Sequence, residues 1–175
     1  GTLASTGPVA LTTTGTTGSA TVVNATDLDL AASTVNGDLV ATATTGNLTD
    51  SGTVTVTGTS SFATSAADAD ITVNQLASTG AVSLSTTGTT GAATVVNATD
   101  LDLADFTVNG DLVATATTGN LTDSGTVTVT GMSSFATSAA DADITIDQLA
   151  STGAVSLSTI GTTGAATVVN ATDLD

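Results

Sequence analysis

Hydrophobic and polar residues alternate strictly in several short runs. Thr53 to Thr57 reads TVTVT, Asp27 to Leu30 DLDL, Asp70 to Val73 DITV and Ala81 to Ser85 AVSLS. Successive side chains of an extended chain point to opposite sides, so a two-residue period marks a strand with one buried face. Val, Ile and Thr fill these runs, and branching at Cβ favours the pleated backbone. The three-and-four spacing of an amphipathic helix is absent. The pattern predicts strands near residues 8–14, 20–24, 27–32, 38–44, 47–51, 53–57, 61–65 and 70–75. It also predicts their faces: Leu28, Leu30, Ile71 and Val73 inward, with the pairs Asp27/Asp29 and Asp68/Asp70 turned to water.

Every run is short and is punctuated by turn residues. Glycine stands at 7, 15, 18, 37, 46, 52 and 58, and returns at 80, 88, 91, 110, 119, 125 and 131. Such positions suit tight corners. Asn36-Gly37 and Asn109-Gly110 are dipeptides favoured in hairpin turns. In an antiparallel sandwich they would reverse the chain, whereas in a coil of parallel strands they would only bend it.

The runs belong to a repeat of 73 residues. Repeat 1 covers 3–75 and repeat 2 covers 76–148, with nine differences between them; the partial repeat 3, 149–175, departs from repeat 2 only where Thr87 becomes Ile160. Near-identical units suit an array in which each unit rests on the next. Residues 1–175 are thus read as one continuous segment, expected to be a window onto a longer array.

Composition narrows the architecture. The chain has no Lys, Arg, His, Cys, Trp, Tyr or Glu, and 16 Asp account for its formal charge of −16. Hydrophobic residues make up 40% and mean hydropathy is +0.40, which argues against disorder. The apolar residues are small, with Phe only at 62, 106 and 135. A sandwich core about 10 Å thick must be filled from two facing sheets, usually around a large aromatic in domains of ~100 residues. A 73-residue unit with one or two Phe is undersized for that, so tandem small β-sandwich repeats stand as the alternative to a β-solenoid with a narrow aliphatic bore. Three strands per coil would give about three coils per block, each block advancing roughly 14 Å at ~4.8 Å per rung. Copies of one Asp would then lie beyond the ~8 Å screening length of physiological saline.

Candidate chemistry is sparse. The Asp pairs Asp27 and Asp29, Asp68 and Asp70, Asp100 and Asp102, and Asp141 and Asp143 are weak candidates for Ca²⁺, which favours clustered carboxylates. Neither of the common calcium-loop motifs accompanies them, and no cofactor is expected. Asn-x-Thr acceptors occur at Asn24, Asn47, Asn97, Asn120 and Asn170, where glycosylation is a further expectation. Without His, Cys, Lys, Arg, Tyr or Glu, no base of suitable pKa stands beside a nucleophile, so no enzyme activity is expected. Lacking any basic side chain, the chain should bind neither nucleic acid nor anionic lipid. No apolar run approaches the ~20 residues of a membrane-spanning helix.

The segments Gly46 to Gly58 (GNLTDSGTVTVTG), Ser60 to Val73 (SSFATSAADADITV) and Ser33 to Asn47 (STVNGDLVATATTGN) resemble the β-strand repeats of filamentous haemagglutinin-like exoproteins and related giant bacterial surface adhesins. The likeness is one of repeat style and composition over essentially the whole chain. It implies a right-handed parallel β-helix, secreted to or held at the cell surface and forming a rod for adhesion, aggregation or matrix. No functional residue is carried over by it. The expected role is a structural extracellular filament whose partner is itself, assembled end to end or laterally; the alternatives are an adhesin stalk with cell-surface or glycan receptors, and an ice-binding solenoid suggested by tracts such as Thr12 to Thr17.

Overall fold

The computed structural model describes residues 1–172, so the last three residues of partial repeat 3 lie outside it. Every strand pairing among the described residues is parallel. This excludes the tandem-sandwich alternative. The chain winds as a β-solenoid, and Asn36-Gly37 bends it rather than reversing it.

Seven extended segments make up one block. In order they are Ala20–Asn24; Leu28–Leu30 with Ser33–Val35; Leu39–Ala43; Leu48–Asp50 with Val54–Val56; Ser60–Ala67; Ile71–Ser78; and Val82–Thr87. The second and fourth are each broken into two three-residue strands. Strand partners are 19 to 23 residues apart, from Ala20↔Leu39 to Leu48↔Ile71. One coil therefore holds two segments, not three, and the rod has two broad faces joined by two edges.

One face stacks Ala20, Leu39, Ser60, Val82 and Leu103 in register. The other stacks Leu28, Leu48, Ile71, Ala93, Leu112, Ser133 and Val155. Ala93 is the copy of Ala20 one block later, yet it lies on the opposite face. Seven segments wound two to a coil give three and a half coils, so each block arrives half a turn out of phase with the last. The blocks are related by a two-fold screw, with an advance of roughly 17 Å at ~4.8 Å per rung. The expected three coils and ~14 Å are corrected accordingly.

The inward alternation follows the sequence pattern. Leu28, Leu30, Ile71 and Val73 are buried, and the side chains of both sheets merge into one aliphatic cluster. Phe62, Phe106 and Phe135 are its largest members, and Phe62 and Phe135 are fully buried. Two facing rows of Ala, Val and Leu fill a thin bore, which explains why no larger side chain is needed. Stacking supplies the rest: Val82 and Leu84 are buried, whereas their copies Val155 and Leu157, with no rung described above them, are only half-buried.

Glycine serves close approach at one column of corners. Gly58 N–H donates to Gly37 O at 3.0 Å, and a Cβ on Gly80 would collide with the Gly58 carbonyl oxygen. Gly110, Gly131 and Gly153 repeat the arrangement half a turn away.

Candidate functional surface

The acidic residues form a system of rung-to-rung hydrogen bonds. Asp27 Oδ1 accepts from Asn47 N–H at 2.7 Å, Asn47 Oδ1 from Asp70 N–H at 2.9 Å, and Asp70 Oδ1 from Ala92 N–H at 2.8 Å. Each side chain thus reaches to the corner of the next coil, where the backbone leaves the sheet and its N–H lacks a ladder partner. The column runs on through Asp111, whose Oδ1 accepts from Met132 N–H at 2.8 Å. On the opposite edge Asp100, Asn120, Asp143 and Ala165 repeat the first three bonds.

These columns never place Asp on adjacent rungs. Asn47 separates Asp27 from Asp70, and Asn120 separates Asp100 from Asp143. Neighbouring carboxylates therefore stand about two rungs, or roughly 10 Å, apart, beyond the ~8 Å screening length. Within these columns like-charge repulsion is limited by the neutral residue between, not by block spacing, whereas Asp123 and Asp147 stand on adjacent rungs.

Asp68 differs from the expected strand partner of Asp70. It occupies a turn in the left-handed region, φ 61°, as does Asp141 at φ 62°. Asp tolerates that region better than most side chains because its short polar group bonds locally. Thr89 and Thr90 N–H donate to Asp68 Oδ1 at 2.7 and 2.9 Å, and Thr162 and Thr163 N–H to Asp141 Oδ1 at 2.7 and 2.8 Å. These backbone donors hold both carboxyls below the ordinary carboxylate pKa. Thr59 lowers that of Asp38 in the same way, through its N–H and then its hydroxyl.

The eight calcium candidates are therefore distributed along the corners and strands. Asp27, Asp70, Asp100, Asp143, Asp68 and Asp141 engage backbone N–H groups. Asp102 Oδ2 accepts from Ser124 Oγ at 2.9 Å. Asp29 Oδ1 and Asp102 Oδ1 are buried without a hydrogen-bond partner. Among the described residues, no three acidic side chains converge as a metal-holding group.

The asparagines divide into two structural kinds. Asn97 is fully buried; its Oδ1 accepts from Ser78 N–H at 2.8 Å and its Nδ2 donates to Ser78 O at 2.9 Å and Asp100 O at 2.6 Å. Asn24 is buried in the same way against Ser5, and Asn170 holds Ser151 identically. The amide acts as an extra peptide unit between coils, leaving no room for a sugar on Asn24 or Asn97 in the folded rod. Only Asn47 and Asn120 of the expected acceptors are exposed.

Threonine columns, invisible as such in the sequence, arise from the register. Thr49, Thr72 and Thr94 occupy three successive rungs of one face, and Thr12, Thr34 and Thr55 three rungs of a neighbouring column. Their side chains are exposed or half-buried on the outer side of the strands, and Asp29 stands one rung before Thr49. Unequal residue spacing between rungs hides this alignment from any search at fixed intervals.

No curated protein and no solved structure matches the chain. A repeat family matches residues 17–85 and again 90–158. Each matched stretch opens just before the ATVVN strand and spans the seven segments described above, so the family's unit coincides with one half-turn screw step. Since the two matches cover most of its length, the chain belongs to the family of repeats of unknown function (DUF5649).

Proposed function

We propose that the protein is a structural filament of the cell surface or extracellular matrix. The observation that carries this reading is the use of its polar side chains: most of the carboxylates, and the buried amides, that would build a binding site are engaged in tying one coil to the next. A rod held by continuous strand pairing, and lacking Lys and Arg, offers trypsin-like proteases no cleavage site. Those properties suit a load outside cells. The test is electron microscopy of the native material combined with immunogold labelling of intact producing cells. Straight rods of uniform width on the cell exterior are expected; separate beads joined by linkers, or label confined to the cytoplasm, would overturn it. An adhesin stalk shares the rod and differs in carrying a non-repetitive tip domain in the full-length gene.

The threonine columns favour one second reading, an ice-binding face. Two columns of three outward threonines at ~4.8 Å spacing form a stepped array on one face, sharing the rung of Thr49 and Thr55. Thermal hysteresis of the purified chain tests it, and freezing behaviour no different from that of an inert protein of equal concentration would remove it.

A further inference from the structure

An asparagine followed by glycine is chemically exposed, because no Cβ on the glycine hinders its nitrogen from approaching the side-chain amide. Of the eight asparagines only Asn36 and Asn109 precede glycine. Their local sequences are identical: Thr34 to Asn47 and Thr107 to Asn120 both read TVNGDLVATATTGN. A difference in reactivity between them must therefore come from contacts with other coils.

The preceding coil clamps each asparagine at two points. Asn36 N–H donates to Thr13 Oγ1 at 2.9 Å, and its Nδ2 donates to Thr13 O at 3.2 Å. Asn109 N–H donates to Thr86 Oγ1 at 2.9 Å, and its Nδ2 to Thr86 O at 2.8 Å. With Nδ2 fixed on a neighbouring coil, Cγ can swing onto the glycine nitrogen only after the clamp opens. The two clamps are unequal. Thr86 is buried and its hydroxyl also donates to Gly91 O at 2.8 Å. Thr13 is half-buried, and among the described residues its hydroxyl makes no matching bond to Gly18. Gly110 is buried as well, whereas Gly37 is half-buried.

We propose that Asn36 and Asn109 are latent self-modification sites whose deamidation is restrained by the clamp to the preceding coil, Asn36 less firmly than Asn109. The glycine nitrogen loses its proton and bonds to asparagine Cγ, the Cγ–Nδ2 bond breaks, and ammonia leaves with that proton. Water then opens the cyclic imide at one of its two carbonyls, giving aspartate or isoaspartate. No reactant other than water is needed, and the first step speeds up as pH rises. Either product damages the corner. A carboxylate in place of the amide sets one acceptor against another at the threonine carbonyl. Isoaspartate adds a methylene to the main chain where there is no room for it: a Cβ on Gly37 would strike Thr17 O, and one on Gly110 would strike Thr90 O. The same peptides carry the corner stack, since Gly58 N–H donates to Gly37 O and Gly131 N–H to Gly110 O, both at 3.0 Å. Conversion would thus open the rod at one rung, irreversibly.

The test holds folded chain at mildly alkaline pH beside chain unfolded in urea and samples both over weeks. Cleavage before aspartate releases the two corners as distinct peptides, 29–37 and 105–110, because Ala32 and Ser33 are replaced by Asp105 and Phe106. The mass change from amide to acid, with enzymatic methylation of isoaspartate, reads each site. In urea the two sites should convert at nearly the same rate. In the folded chain Asn109 should slow by about tenfold or more, since opening must break both of its hydrogen bonds, and Asn36 should slow by less. Thr86→Val keeps the side-chain shape but removes the hydroxyl; it should bring Asn109 to the rate of Asn36 or above and leave Asn36 unchanged. Thr86→Ser should restore slow conversion. If Thr86→Val misfolds, the comparison of the two sites in the parent chain still decides. Equal rates at the two sites of the folded chain, or folded rates that match those in urea, would overturn the proposal.

Discussion

Asn47 occupies a position where an aspartate would make the same hydrogen bond, since its Oδ1 only accepts from Asp70 N–H. What asparagine adds is neutrality between Asp27 and Asp70. Asn47→Asp with Asn120→Asp would align three carboxylates on consecutive rungs at ~4.8 Å, a repulsion of roughly 1 kcal/mol per neighbouring pair in water. Thermal denaturation at low ionic strength should show melting lowered by roughly 2–4 °C per kcal/mol, with the deficit closing as salt is added. Asp68 and Asp141 give a pH prediction whose sign is fixed by their donors. Their folded pKa lies below the ordinary 3.8, so their stabilisation is complete above that value and is lost as pH falls through the folded pKa. Asp68→Asn/Asp141→Asn should therefore be less stable than the parent at neutral pH and draw level with it in acid, a difference read from paired melting curves. Both roles were hidden in the sequence. Asp68 and Asp70 look like a strand pair because DAD fits the alternation, and only the left-handed turn at Asp68 separates them. Asn24 and Asn97 look like exposed glycan acceptors, because NAT between a strand and a turn carries no mark of the peptide groups that bury it.

Among the elements, the strands with strict alternation were legible and the broken ones less so. Val54–Val56 and Ile71–Ser78 fall where TVTVT and DITV predict them. Ser33–Val35 was not predicted, since STV is too short to display a period and its register comes from Val54–Val56 beneath it. The core position at its start tolerates very different side chains: buried Ser33 donates to Ala31 O at 2.8 Å, whereas its copy is the buried Phe106. Phe62 has no such latitude, being fully buried in the middle of Ser60–Ala67. Phe62→Ala should cost about 3–5 kcal/mol, the range for emptying a packed aromatic site, measured by chemical denaturation. Because each coil rests on its neighbours, the loss should appear as local opening around the affected rungs, with faster amide exchange there than in distant coils.

At the scale of the whole molecule, the screw gives a prediction that a three-coil repeat would not satisfy. Oriented fibres of a long array should diffract on the meridian at roughly 17 Å, while the full ~34 Å period and the ~4.8 Å coil spacing, its seventh order, appear only off the meridian, as a two-fold screw requires of odd orders. A meridional spacing near 14 Å would instead restore three coils per block. The sequence by itself determined the extended segments, their inward faces, the thin aliphatic interior and the 73-residue block, because each is set by neighbours a few residues apart or by simple repetition. Only the tertiary structure decided that two segments close a coil. That number depends on how far each corner turns the chain once Gly37, Gly58 and Gly80 stack and the Asp and Asn side chains bond to the next rung, contacts made across 19 to 25 residues. With seven segments to a block and two to a coil, identical sequences must land on opposite faces, and nothing local to a segment records which face it will join.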